Sequence, residues 1–246
     1  MSRRAWGAAC YTKGLRLSTA DASDYIAAMT VAAPDWAEAA EARLLDAAVR
    51  LAPELGWGGR LAQAAAREAG LDKATMRLLL PRGAADLAAL LWRRHDDRAM
   101  AELAAVDAAS LKIRERIRTA VTARVEAAAA DAEAEKRAAA WAALPHHAPL
   151  TLRLAWATAD KLWRWAGDVA TDENHYTKRA ILAGVLLSTS LVRMSGGREA
   201  AAAHLDAQIG RVMRFEMWKA GLPKPSEIGD RVAGSLGRLR YGARVE

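Results

Sequence analysis

Five histidines, His95, His146, His147, His175 and His204, are the side chains of this chain best suited to proton transfer or metal ligation. A helix projects two ligands to one side when they are spaced as in H-E-x-x-H or E-x-x-H. Neither spacing occurs, and Asp172-x-x-His175 has the right step but no second pair. The histidines are therefore expected at the surface or hydrogen-bonded. One cysteine, Cys10, allows neither an internal disulfide nor a thiolate zinc cluster, and suits a reducing compartment. There is no Gly-rich phosphate loop and no G-x-S-x-G nucleophile turn. These residues predict no enzyme, no cofactor and no metal.

What remains is a concentration of aromatic and charged residues, WRWAGDVATDENHYTKRAIL, at 163–182. The elements that position it are helices. Alanine dominates a chain that is 52% hydrophobic with one Phe and seven Pro, and β-branched runs are scarce. The periodicity predicts helices over about 35–52, 60–69, 73–80, 83–108, 110–130, 131–144, 150–166, 171–194 and 198–220, with another possible from Pro225 to about Tyr241. Asp35, Asp72 and Ser110 are the expected caps. Pro53, Gly167 and Ser195-Gly196-Gly197 are the expected stops. The fold class is all-α. No apolar run reaches the roughly 18 residues of a membrane-spanning helix. Residues 1–34 read as an extension of poor periodicity, in which Met29 is an alternative start.

Residues 59–91 contain a short helix, an Ala-Gly-Leu turn, a second short helix and a long third. This shape resembles the helix-turn-helix of TetR-type repressors. A DNA reader needs polar and basic side chains on its second helix. Here that helix ends in Leu78-Leu79-Leu80-Pro81, where such repressors carry aromatics before a basic turn. The expectation is a degenerate helix-turn-helix over 35–91, with no specific nucleic-acid binding. A TetR-type transcription regulator with a lipid-like inducer is the competing reading.

The helix of 150–166 carries two apolar stripes. Leu152, Trp156, Ala159, Trp163 and Ala166 form one; Leu154, Leu162 and Trp165 form the other, interrupted by Thr158. One stripe suffices to reach a core, so the second predicts another burial partner, within the fold or on another protein. The following helix is apolar nearly all round and is expected at the centre or at a dimer seam. Together, 92–221 read as one helical domain.

The net charge is +7, which suits an anionic partner such as nucleic acid or an acidic membrane. In 222–246, Ile228, Val232, Leu236 and Leu239 draw one apolar stripe beside Arg231, Arg238 and Arg240. That is the composition of a helix lying in a membrane interface, or of one packed on its own protein.

The block L-W-R-W-A-G-D-x-A-T-D-x-N-H-Y-T-K-R-A-I-L-A at 162–183, preceded by Leu144-Pro145-His146, resembles the signature of a ubiquinone-biosynthesis accessory family, the ninth CoQ protein in the yeast-derived naming. The likeness runs in order over about 37–241. It implies a TetR-like helical bundle that binds an isoprenoid quinone precursor in a helical cavity, forms a homodimer, rests on the membrane by its last helix, and presents the lipid to the demethoxyubiquinone hydroxylase. Leu, Val and Trp side chains of 111–127 and 150–194 would line the cavity. The implied docking residues are Asp160, Leu162, Trp163, Trp165, Asp168, Asp172, Asn174, His175, Tyr176 and Arg179. Animal members commonly have Trp where this chain has His175, which makes that contact smaller. The implied location is peripheral on the cytoplasmic side of the inner membrane, or on the matrix side of the mitochondrial inner membrane in a eukaryote.

Overall fold

The computed structural model describes residues 36–168 and 173–220, with side chains to Arg214 except those of Glu173 and Asn174. Eight α-helices account for most of them: α1 (Trp36–Leu55), α2 (Gly59–Glu68), α3 (Lys73–Leu79), α4 (Ala84–Leu103), α5 (Ile113–Ala129), α6 (Ala132–Ala142), α7 (Ala148–Trp165) and α8 (Glu173–Ala220). No strand occurs among the described residues. The all-α expectation holds.

The local chemistry of the chain places most of the boundaries. Asp72 caps α3 by accepting from the Thr75 amide at 2.7 Å. At the end of α2 the Leu71 amide reaches the Ala66 carbonyl and the Gly70 amide reaches Arg67, the paired bonds that close a helix over a left-handed residue. Three boundaries differ from expectation, the first being the end of α4 at Leu103 rather than about Ala108. Helix α1 runs through Pro53 to Leu55 and stops at Gly56, which has a φ of 68° and whose amide reaches the Ala52 carbonyl at 2.9 Å. Ser110 does not cap α5. It ends a short turn, Ala108–Ser110, that Asp107 caps, and α5 starts at Ile113 where Glu115 reaches back to the Lys112 amide at 2.9 Å.

Two apolar cores result. The first joins Leu44, Leu45 and Ala48 of α1, Leu61 and Ala65 of α2, Leu87 and Leu91 of α4, and Ala134 and Ala138 of α6. The second joins Ala99 and Leu103 of α4, Val121 and Val125 of α5, Ala155, Ala159 and Leu162 of α7, and Leu182 and Leu186 of α8. Helix α4 therefore serves both, and α6 returns to the first. A division of the chain at residue 91 would cut α4 and separate α6 from its packing partners.

Between the cores lies a buried polar node. Asp96 accepts from Arg124 Nε at 2.6 Å, from the Thr158 hydroxyl at 2.8 Å and from Lys161 at 3.1 Å. Trp92 Nε1 donates to Thr158 at 2.7 Å, and the Arg124 guanidinium lies 5.0 Å from the Trp92 ring centre. His95, fully buried, meets Asp131 at 3.1 Å. It is thus one of the hydrogen-bonded histidines the sequence predicted.

Helix α8 is broken at Gly197, whose φ of 81° and ψ of −172° are open essentially to glycine alone. The stop expected at 195–197 is this break. Its consequence is geometric: His204 Nε2 lies 3.2 Å from Ser188 Oγ across 16 residues, which a continuous helix would hold about 24 Å apart. The two arms, 173–196 and 198–220, fold back on each other. The expectation that no stretch is apolar enough to span a membrane is corrected here. One stretch within His175–Arg214 is long and apolar enough, by length and composition alone, to cross a membrane. The first arm is apolar nearly all round, yet much of it is uncovered in the single chain, with Leu191 at 64% exposure.

Candidate functional site

The site forms where α7 turns into α8. Helix α7 buries Ala155, Thr158, Ala159, Leu162 and Ala166, recurring at steps of three and four. This seam of mostly small residues is the core-facing side; it takes Ala159 and Ala166 from one predicted stripe and Leu162 from the other, while Leu152 is left exposed. Thr158, read as an interruption, belongs to the seam because its hydroxyl is satisfied by Asp96 and Trp92. Trp163 and Trp165 keep their bodies half-buried and tie their N–H groups to neighbouring helices. Trp163 Nε1 donates to the Lys178 carbonyl at 3.0 Å, and Trp165 Nε1 to the Leu103 carbonyl at 3.1 Å.

After Trp165 the chain closes over Gly167, at φ 90°, with the Asp168 amide bonded to the Trp163 carbonyl at 3.0 Å. Arg116 of α5 reaches across to the Ala166 carbonyl at 2.8 Å. The turn brings Asp168 beside α8. There Arg179 is held by Asp160 at 2.6 Å and Asp168 at 3.2 Å, and Lys178 by Asp168 at 2.7 Å. Burial alone would raise the Asp160 and Asp168 carboxyls. The hydrogen bonds and charges of Arg179, with Arg164 beside Asp160 and Lys178 beside Asp168, outweigh it and hold both below the ordinary carboxylate value.

The predicted docking residues thus divide. Tyr176 is 65% exposed, stacks on Trp156 at 6.2 Å and meets the half-buried His175 edge-on at 5.2 Å. Trp163, Trp165 and Asp160 are partly accessible. Leu162 and Arg179, at 1% and 2% exposure, and the nearly buried Asp168 carboxylate offer no surface to another protein; this part of the expectation is corrected. Burial of the ion pair at the helix joint makes them positioning groups that hold α7 against α8. Asp172 lies outside the described residues, as does the side chain of Asn174, whose backbone is helical. Ile228, Arg231, Val232, Leu236, Arg238, Leu239 and Arg240 also lie outside them. Trp156, which stacks on Tyr176, was legible as part of a stripe. Nothing in the spacing marked it as Tyr176's neighbour.

Two apolar cavities lie on opposite sides of the first arm of α8. One, of about 240 Å³, is walled by Ile113 and Ile117 of α5, Trp163 of α7, Val185 of the first arm, and Ile209 and Met213 of the second. The other, of about 470 Å³, is walled by Trp92, Leu150, Leu154, Leu187, Leu191 and Met194, with Arg124 and Glu135 among its polar residues. Helices α5, α7 and α8 are those expected to line such space, and the share taken by α4, α6 and the second arm was not legible. Among the described residues, no group of three His, Cys, Asp or Glu side chains is placed to hold a metal ion.

Residues 148–216, from the start of α7 into the second arm of α8, match the COQ9 family model. Mitochondrial ubiquinone biosynthesis protein COQ9 of Rattus norvegicus is 30% identical over 160 residues, covering 62% of this chain and 51% of its own length. The chain is similar to the COQ9 family over α7 and most of α8. The Homo sapiens COQ9 protein is 29% identical over 160 residues, or 62% of this chain and 50% of its own. That of Bos taurus is 49% identical over 51 residues, 21% of this chain and 16% of its own. The chain spans about half the length of the rat and human proteins. The COQ9 match contains the whole α7–α8 joint, the Arg179 clamp and most of the wall of the smaller cavity.

Proposed function

We propose that this protein takes part in ubiquinone biosynthesis as a lipid-binding accessory that performs no chemistry itself. It binds an isoprenoid quinone precursor and presents it to the demethoxyubiquinone hydroxylase. The observation that carries this reading is the apolar cavity bounded by Ile113, Ile117, Trp163, Val185, Ile209 and Met213, formed in part by α7 and α8, the two helices that also carry the aromatic pair Trp156 and Tyr176. A polyprenyl tail leaves the bilayer at a cost of roughly 0.8 kcal/mol for each CH₂ exposed to water. A site that is apolar inside and aromatic outside shelters the tail while a docked enzyme reaches the quinone head. The uncovered Leu191 side of the first arm fits a second copy, giving a homodimer. The basic, amphipathic 222–246 sequence fits a place on the surface of the inner membrane, and the relatives' names, which say mitochondrial, support the mitochondrial setting.

Lipid extracted from the purified protein should contain isoprenoid quinone by mass spectrometry, and Val185→Trp, which fills the cavity, should reduce it at least fivefold. Protein free of lipid that takes up no quinone from liposomes removes the reading.

The repressor reading has the α2–α3 pair in its favour. Against it, α3 buries none of its residues fully and presents Leu78 at 68% exposure where base edges call for polar groups. Tight binding to one genomic fragment in a mobility-shift assay at physiological salt would restore it.

A further inference from the structure

The second arm of α8 lies along α5 in antiparallel register. Asp206 meets Arg118 at 2.6 Å, and eight residues earlier Arg198 meets Glu126 at 2.7 Å, eight residues further along α5. Glu126 also holds Arg193, at 2.8 Å, so one carboxylate grips the chain on both sides of the Gly197 break. The vertex is therefore tied down. The rest of the arm is lightly held: Ala201 and Leu205 are its fully buried residues among those described, and Arg118 and Asp206 are both about half exposed. A solvent-exposed ion pair contributes little to holding an arm in place. At the end far from the vertex, Ile209, Val212 and Met213 close one side of the smaller cavity.

We propose that residues 198–214 are a hinged cover that swings about Gly197 to admit an elongated apolar chain into that cavity. The hinge residue is the one position in α8 with a backbone that glycine alone adopts freely. The Glu126 pairs fix the pivot, while the Arg118–Asp206 pair and the His204–Ser188 hydrogen bond form the latch that must part. This rests on the apolar-guest reading above and adds the route by which the guest enters. A chain inserting between α5 and the arm replaces the contacts of Ile209 and Met213 with its own, so the open form is stabilised by what it admits.

The test uses the full chain with Cys10→Ser, Arg118→Cys and Asp206→Cys, with and without a short methanethiosulfonate crosslinker. Each form is offered an isoprenoid quinone with a two-unit side chain in phosphatidylcholine/phosphatidylglycerol vesicles. Bound quinone is then followed in time by mass spectrometry. The crosslinked form should load at least tenfold more slowly than the open form and recover on reduction. Spin labels on the same two cysteines should move apart when quinone vesicles are added. Equal loading rates, or an unchanged label distance in protein that has bound quinone, overturn the hinge and leave the guest site standing. If the Cys10→Ser control carries no quinone at all, the guest reading itself falls and the hinge with it.

Discussion

Trp163 and Lys178 are joined twice: the indole N–H donates to the Lys178 carbonyl at 3.0 Å, and the Lys178 ammonium lies 5.5 Å from the centre of the same ring. Trp163 also walls the smaller cavity. It therefore belongs to the helix joint and the lipid site as much as to any docking surface, whereas Tyr176 stands outside both. Tyr176→Ala should weaken hydroxylase binding roughly tenfold, in the range of an aromatic interface anchor, and leave the melting temperature within about 2 °C. Trp163→Ala should lower both. Calorimetric titration alongside thermal melts separates them, and a Tyr176→Ala variant with unaltered affinity moves the docking surface elsewhere.

The Arg179 clamp predicts a dependence on acid. Asp160 and Asp168 are held below the ordinary carboxylate value in the folded chain, so each contributes stability that is present above the unfolded value near 4. That stability is lost as pH falls through the lower folded values. Arg179→Met removes the buried cation the two carboxylates share, leaving Asp160 with Arg164 and Asp168 with Lys178. It should cost about 3–5 kcal/mol at pH 7, and less as pH drops below about 4. Urea midpoints measured from pH 7 to pH 3 on both proteins test it, and parallel curves would show that the pair is not coupled to folding.

At the node between the cores, Thr158→Val keeps the shape but removes a donor to Asp96 and the acceptor for Trp92 Nε1. The expected loss is about 1–3 kcal/mol by chemical denaturation, the cost of leaving buried polar atoms unmatched. A loss below about 0.5 kcal/mol would mean that water replaces the hydroxyl.

Gly197→Ala should destabilise the protein by roughly 1–3 kcal/mol, because an alanine must leave the observed φ and ψ or strain to keep them. Gly196→Ala acts differently: its Cβ would stand 2.9 Å from Ala200 Cβ, a clash the second arm can relieve by shifting. Hydrogen exchange in 198–214 should quicken in both variants, and unchanged exchange would show that the break tolerates ordinary residues.

Much of this architecture was legible because the chain writes its helices in alanine and its stops in glycine. Asp72, Gly70, Gly167 and Gly197 each act where their spacing predicted. The errors came from groups whose role depends on a partner far away in sequence. Thr158 reads as a gap in a stripe until Asp96, 62 residues away, supplies the carboxylate that makes it a core residue. Arg179 reads as a surface cation until Asp160 and Asp168 converge on it from the preceding helix and turn. Arg124 carried a signal, being a cation among Ala120, Val121, Ala123 and Val125, and so did Asp96 on the otherwise apolar side of α4. A charge in such a row needs a counter-charge in the interior, though the row does not say where. The doubling back of α8 was half visible: the break had its residues, and the direction came from Ser188 meeting His204.

Helix α4 presses Leu87 and Leu91 into one apolar mass and Ala99 and Leu103 into the other, with His95 and Asp96 between. A single rod threaded through both masses means that neither half can melt while the other stays intact. Heating should thus reveal one sharp heat-absorption peak rather than two, and damage anywhere along the rod should be felt at both ends.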